Sequence, residues 1–369
     1  MKVLITNNAL AGHGGSETYV RDVAKALLKR GHEPIVYSTL LGEVAHELSA
    51  ASITVVDDLN RLKTTPDLIH GHHHMETLTA LLHFAGVPAI QICHSRSLWL
   101  EMPVQFPRIL RYVAVDHTCR DRLRAHGIPE ERIRVLFNSV DLEKFRRRSH
   151  SLPLRPGRAL VFSNYAAKNT HLRYIREACQ HARIELDVIG RGADNPKSQP
   201  ERLLGDYDLV FAKARCALEA MAVGAAVILC DASGTGPMVD TKNFDELRPL
   251  NFGVQTLRDS FDIKIIAREI NRYDPQDAAA VSAMVRGVAG HETMVDQLVD
   301  LYRKVIEEYR TFGNSDMATE GRAAAAYLRQ LKLDFARHGA ASMRMRERVE
   351  RLPLVGKLGV KLAQRLTRP

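Results

Sequence analysis

DLVFAKARCALEAMAVGAAVILCD, residues Asp208 to Asp231, reads as a strand, a helix and a second strand. Leu209, Val210 and Phe211 form a short apolar run, and helix formers fill Lys213 to Val223. Gly224 stands where a helix stops, and Ala226 to Cys230 is a second run rich in β-branched residues. The unit is βαβ, and an open parallel sheet binds ligands outside the carboxyl ends of its strands, beside the helix N-termini. Lys213 and Arg215 fall in the first turn of that helix. Their sign opposes the helix dipole unless an anion neutralises them. Glu219 lies further in, on a helix otherwise small and apolar, where a carboxylate needs a hydroxyl or a cation to meet. A phosphate at the helix tip with a sugar hydroxyl beside it satisfies both demands. Solvated helix-end charges and one surface glutamate satisfy them as well.

The alternation extends through most of the chain. Met1 to Thr6 reads as a buried strand, AGHGGSE (Ala11 to Glu17) as a glycine-rich turn, and Ser16 as the N-cap of a helix running to about Lys29. Val20, Val23, Ala24, Leu27 and Leu28 share a face of that helix, Gly31 ends it, and Glu33 to Ser38 is the next strand. This opening is half of a Rossmann-like domain. GHGG is not the full GxGxxG pattern and no acidic residue closes the second strand, so a dinucleotide fingerprint is not expected. The turn still offers backbone N–H groups to a phosphate or a developing charge.

Pro66 to His70, Val87 to Cys93 and Tyr112 to Val115 continue the strands, with a helix closed by Gly86 between the first two. His70, His72, His73 and His74 invite a metal reading, but their spacing at a strand-to-helix junction does not set two ligands on one face with a supporting carboxylate. Arg146 to Arg148 followed by Pro153, Pro156 and Gly157 marks a linker. The pattern then restarts with a strand at Ala159 to Asn164, a loop holding Lys168, and a strand at Ile184 to Ile189 leading into Gly190, Arg191 and Gly192. GTGPMV (Gly234 to Val239) reads as a glycine loop, and Gln276 to Tyr309 as helical, with Met294, Leu298, Leu301, Tyr302 and Ile306 at helical spacing.

A chain of 369 residues, 45% apolar and 26% charged, is long enough for two ordinary globular domains. Five cysteines (Cys93, Cys119, Cys179, Cys216, Cys230) lack CxxC or CxH spacing, which implies a reduced cytoplasmic setting without a zinc site or a disulfide framework. The first residues enter a strand with too short an apolar run for a signal peptide, and no stretch approaches a membrane span. Of the net charge of +9, six units lie from Arg344 onward. The nearly neutral remainder argues against nucleic acid as a partner.

Taken together and in order, these segments resemble the retaining glycosyltransferases of the GT-B fold, family 4, over roughly residues 1–310. The opening strand with Gly14, Gly15, Ser16 and Glu17 is similar to the family's start. PDLIHGHHH followed by GVPAIQICHS, ending on His94, resembles its next signature, and GIPEERIRVLFNSVDLEKF resembles the phrase that closes its first domain. LEAMAVGAAVI is similar to the donor-helix signature, and ETMVDQLVDLYRKV to the closing helix. The resemblance implies an α/β protein with two Rossmann-like domains facing across a cleft. The expected units are an acceptor domain (residues 1–150), a nucleotide-sugar donor domain (157–310) and a helical basic extension (311–369). It implies transfer of a hexosyl unit, with retention and without a metal or cofactor, from a nucleotide-diphosphate sugar to a glycan or lipid-linked acceptor in cell-surface glycan synthesis.

By the same resemblance Glu219 grips the ribose hydroxyls, Lys168 binds phosphate, Gly190 and Arg191 lie where the base packs, and Gly14 and Gly15 approach the diphosphate or the acceptor. His94 contacts the donor sugar and, with Glu219, forms the expected catalytic pair. Lys213, Arg215 and the helix N-terminus complete the donors that stabilise a departing diphosphate. Lys168 also reads as a solvated loop lysine, and His94 as a satisfied strand-end histidine. Three departures stand out. The first glutamate of the Glu-x7-Glu motif is replaced by Phe211, the usual arginine upstream of the phosphate lysine by Phe162, and the EGFG turn by AKARCA. They keep a non-catalytic nucleotide-sugar-binding protein open, and a nucleotide-sugar epimerase can share the same fold.

At the end of the chain Leu352, Val355, Leu358, Leu362 and Leu366 form an apolar face flanked by Lys357, Lys361 and Arg365. Residues 342–369 read as a basic amphipathic segment that lies on an anionic membrane surface, giving a peripheral position on the cytoplasmic face. A helix that packs back on the first domain is the other reading.

Overall fold

The computed structural model describes residues 1–167, 171–193, 195, 199–313 and 316–350, without the side chains of 191 and 337–350. Its described residues form two Rossmann-like α/β units and a helical C-terminal part, the GT-B architecture expected from the sequence.

The first sheet contains β1 (Lys2–Thr6), β2 (Glu33–Tyr37), β3 (Thr54–Val56), β4 (Leu68–His72), β5 (Ala89–Cys93), β6 (Ile109–Ala114) and β7 (Ile133–Val135). They lie in the order β3-β2-β1-β4-β5-β6-β7, all pairings parallel. Burial on both faces explains why these strands read as continuous apolar runs. The connecting helices are α1 (Gly15–Lys29), α2 (Glu43–Ala50), α3 (His74–His83) and α4 (His117–Ala125). Val20, Val23, Ala24 and Leu27 of α1 are buried against the sheet. The N-cap of α1 is Gly14; Ser16, expected there, instead donates its hydroxyl to Glu17 Oε2 at 3.0 Å.

The second sheet runs β12-β11-β10-β8-β9. It contains β8 (Arg158–Phe162), β9 (Glu185–Ile189), β10 (Leu209–Ala212), β11 (Ala226–Asp231) and β12 (Gly234–Met238), with α5 (Leu172–His181) after β8 and α6 (Ala214–Val223) between β10 and β11. Gly224 ends α6 at φ 97°, as the sequence anticipates. The stretch read as a glycine loop, Gly234 to Val239, is largely β12, paired antiparallel with β11. Its glycines serve close approach, since a Cβ on Gly236 would lie 2.6 Å from Thr256 O. The short helices α7 (Phe244–Leu247) and α8 (Ile263–Ile270) follow, and then α9 (Pro275–Val288) and α10 (His291–Phe312), separated at Gly290 where one helical region was expected.

The domain boundaries also need correction. Met294, Leu298, Leu301, Tyr302, Val305 and Ile306 of α10 belong to the core of the first unit, and Val140 and Phe145 to the core of the second. The chain therefore crosses between the units at two adjacent places. Val140 N–H bonds Ala289 O at 2.8 Å and His291 N–H bonds Val140 O at 3.0 Å. An amphipathic helix announces its apolar face but not which sheet the face covers.

The last described helix, α11 (Met317–Glu350), docks on the first unit. Arg108 is buried, donates to Phe84 O and Val87 O, and grips Glu320 with two hydrogen bonds of 2.7 and 3.0 Å. Tyr327 reaches His74 Nδ1 at 2.7 Å and Phe335 packs on Trp99. The amphipathic segment from Leu352 lies outside the described residues. Among the described residues no helix is long and apolar enough to cross a membrane.

Candidate active site

The topological switch of the first sheet lies between β1 and β4, and that of the second between β8 and β10. Ligand crevices in such sheets open just beyond the carboxyl ends at these points. Here the two carboxyl edges approach each other: Asn251 of the second unit donates to Val115 O just after β6, and Arg215 at the start of α6 reaches Asp22 on α1.

On the first edge imidazoles dominate. His70 and His72 stack with centroids 4.6 Å apart, and His72 and His94 with centroids 4.9 Å apart. His94 Nε2 meets His72 Nδ1 at 2.8 Å, Tyr19 stands edge-on to His94 at 4.8 Å, and Tyr302 hydroxyl bonds His70 Nδ1. Burial pushes His70 and His94 down to about 3 and His72 well below the ordinary histidine value. His94 is therefore a neutral hydrogen-bonding group near neutral pH, presenting a dipole rather than a full positive charge. Its backbone N–H donates to Glu101 Oε2 at 3.0 Å. Burial lifts Glu101 to about 7, against the pull of that N–H and of Arg122. His73, at φ 61°, sits 3.6 Å from the same carboxyl and is itself pushed down to about 4 by burial, so near neutral pH the contact is not a full ion pair. Among the described residues no group of three or more His, Cys, Asp or Glu is arranged to hold a metal.

On the second edge full charges dominate. Lys213 caps α6 and pairs with Asp231 at 2.5 Å, and Asp231 also accepts the Ser163 hydroxyl at 2.7 Å. Arg215 Nε donates to Glu219 Oε1 at 2.8 Å while its Nη2 donates to Asp22. The anions that the sequence leaves unnamed at this helix tip are thus supplied in this state by the chain's own carboxylates. Burial raises the Glu219 carboxyl above its ordinary value and Arg215 opposes the rise. Burial also raises Asp22, but Arg215 and Arg21 outweigh it and hold that carboxyl down at about 2. Phe211, in the place of the first motif glutamate, is fully buried in the apolar cluster that the second sheet shares with α5 and α8. It cannot offer the site a polar group.

The expected glycines lie in both units. Gly190 has φ 146° and a Cβ there would lie 2.0 Å from Ser163 O, so the fold itself demands glycine. A Cβ on Gly15 would meet nothing within 4 Å, whereas one on Gly14 would strike the Glu17 carboxylate, which folds back over the turn. Lys168 and the side chain of Arg191 lie outside the described residues. Sequence reasoning missed Asp22, Glu101 and Asp231. Asp231 was findable, because it ends β11 and Lys213 follows the adjacent parallel β10, whose last residue Ala212 pairs with Leu229, so the two lie at neighbouring strand ends. A cavity of ≈ 680 Å³, lined by Arg96, Trp99, Arg122, Tyr327 and Asp334 among others, opens between the first unit and α11.

Residues 13–144 match the model of Glycosyltransferase Family 4. The chain is similar in structure to a glycosyltransferase from Rickettsia africae, with 15% identity, a TM-score of 0.61 and coverage of 83% of this chain and 98% of that one. HepE from Anabaena, in complex with UDP and glucose, aligns at 15% identity with a TM-score of 0.60 over 82% of this chain and all of that one. Sucrose-phosphate synthase from Thermosynechococcus elongatus aligns at 14% identity with a TM-score of 0.60 over 83% and 99%. No curated protein matches the chain. At these identities the likeness establishes the fold.

Proposed function

We propose that this protein is a retaining, metal-independent glycosyltransferase that moves a hexosyl unit from a nucleotide-diphosphate sugar to a glycan or lipid-linked acceptor at the cytoplasmic face of the membrane. The observation that carries the reading is Glu219, a carboxylate 6% exposed on α6, set one turn behind the cations Lys213 and Arg215 at the carboxyl edge of a GT-B donor domain. A buried carboxylate positioned this way suits a vicinal diol, and the cations with the α6 N-terminus suit the phosphates. The family match of the first unit and the nucleotide-bound HepE support the same assignment.

In this reading the bond from the anomeric carbon to the diphosphate breaks while the acceptor oxygen bonds to the same face of the sugar. The acceptor proton passes to the leaving phosphate oxygen. Lys213, Arg215 and, by resemblance, Lys168 balance the charge that grows on the diphosphate, so a metal ion is not needed for that purpose. Gly14 and Gly15 let the backbone approach it, and Gly190 and Arg191 border the base. His94 and its neutral neighbours face the donor sugar, and the cavity under α11 takes the acceptor.

Thermal melting against UDP, GDP, ADP and dTDP and their sugars tests the reading, because a ligand of the native state raises the melting temperature by mass action. At least one nucleotide is expected to bind. Glu219→Ala should then weaken it roughly 10- to 100-fold, the worth of hydrogen bonds to a charged group, without unfolding the protein. Unchanged calorimetric affinity in that variant would remove Glu219 from the site, and no response to any nucleotide would overturn the assignment.

A further inference from the structure

The donor reading leaves one group without a task. Asp22 lies on α1 of the first unit, yet its carboxylate accepts a hydrogen bond from Arg215 of the second, 193 residues away. Arg215 passes the contact on through its Nε to Glu219. A row of negative, positive and negative charge therefore crosses the cleft beside the two chain crossings. His291, at the second crossing, approaches the Asp22 carbonyl through Nε2 at 3.4 Å and Ser139 through Nδ1 at 3.1 Å.

This row occupies the groups that a donor would use. Arg215 is shared between two carboxylates, so its charge is already neutralised and is not free to receive a nucleoside diphosphate. The conflict disappears if Asp22 leaves. Asp22 has a second partner in place, since Arg21 Nε donates to its other oxygen at 2.9 Å. Its release therefore does not strand a charge. The guanidinium left behind is planar, partly exposed and suited to a phosphate.

We propose that Asp22 is a positioning residue of the donor site, an internal competitor that holds Arg215, and through it Glu219, in a self-paired state until a donor diphosphate displaces it. The inference rests on the donor reading above and deepens it. Donor binding transfers Arg215 from Asp22 to phosphate, frees Glu219 for the ribose hydroxyls and loosens a side-chain tie between the two units. Asp22 thus sets the donor affinity from the opposite domain, and nucleotide binding and domain movement become linked events.

The test is calorimetric titration of the full-length protein with UDP, for wild type, Asp22→Asn, Asp22→Glu and the double variant Asp22→Asn with Arg215→Ala, alongside melting temperatures without ligand. Asp22→Asn is expected to melt lower without ligand yet bind UDP about tenfold more tightly, a combination that a merely structural ion pair does not produce. Asp22→Glu should restore affinity toward the wild-type value, and Arg215→Ala should cancel the gain. Equal or weaker UDP binding by Asp22→Asn, with wild-type binding intact, would overturn the competitor role and leave the donor site standing. If neither protein binds UDP, the same set is run with GDP, ADP and dTDP. Silence across all four would sink the donor reading and this inference together.

Discussion

At the carboxyl edge of the first sheet, His70, His72 and His94 lie in near-parallel stacks and burial holds all three neutral. At the carboxyl edge of the second, Lys213, Arg215, Glu219, Asp231 and the visiting Asp22 form ion pairs within the chain. Both edges keep polar groups out of water, by opposite means. Imidazole can shed its proton, so desolvation converts it into a neutral donor and acceptor. Guanidinium cannot, and so it must have a partner. The neutral edge suits sugar hydroxyls, whose recognition depends on direction, and the charged edge suits a diphosphate, whose recognition depends on charge.

The largest effect should come from separating the two edges by mutation. His94→Ala removes a preoriented hydrogen-bonding group from the neutral edge and should lower the transfer or donor-hydrolysis rate by roughly 10²- to 10³-fold, the scale for one such donor. Nucleotide affinity, which the proposed function assigns to the other edge, should stay within a small factor of wild type. A fall in affinity parallel to the fall in rate would break the division of labour between the edges.

Next in size is the weak point of the neutral edge. Glu101 is 4% exposed and burial lifts it from 4.5 to about 7. A carboxyl with a raised folded-state value costs nothing while both states are protonated, below about pH 4.5, and penalises the fold as pH rises through about 7. Glu101→Gln keeps an acceptor for the His94 N–H and removes the charge. Relative to wild type it should gain up to about 3 kcal/mol between acidic and alkaline solution, read from urea unfolding near pH 5 and near pH 9. A difference that does not grow with pH would show that Glu101 is ionised in the fold and that the first edge is not neutral.

The alternation of elements was legible because it rests on local signals: apolar runs, glycine stops and the helical spacing of α1 and α6. The likeness of the first unit to family 4 was legible for the same reason, since its signatures are short and sequential. What sequence reading could not reach was pairing at a distance. The apolar stripe of α10 was visible in Met294, Leu298, Leu301 and Tyr302, but nothing local told which of two similar sheets it covers. Arg215 and Glu219 were visible as charges in need of partners. That they find each other follows from their spacing of four residues; that Asp22 joins them depends on how the two units meet. Lys213 with Asp231 is the intermediate case, fixed by the register of β10 with β11.

The smallest effect concerns the corner that aims the charged edge. Ala214 has φ 49°, a left-handed conformation awkward for any residue with a Cβ, and its N–H bonds Phe252 O at 2.7 Å. It lies within AKARCA, the segment that stands in place of a glycine-rich turn, between Lys213 and Arg215. The strained corner lets Lys213, just after β10, face Asp231 while Arg215, in the first turn of α6, faces Asp22. Relieving the Cβ clash favours glycine by about 1–2 kcal/mol, and the greater freedom of glycine in the unfolded chain takes back about 0.4–1. Ala214→Gly should therefore stabilise the protein by roughly 0.5–1 kcal/mol in urea unfolding followed by circular dichroism. Because the backbone already occupies this conformation, the ion pairs should persist and nucleotide affinity should hardly change. A destabilised variant would mean that the corner is not strained, and a stabilised variant with much weaker nucleotide binding would mean that the alanine itself keeps Lys213 and Arg215 aimed.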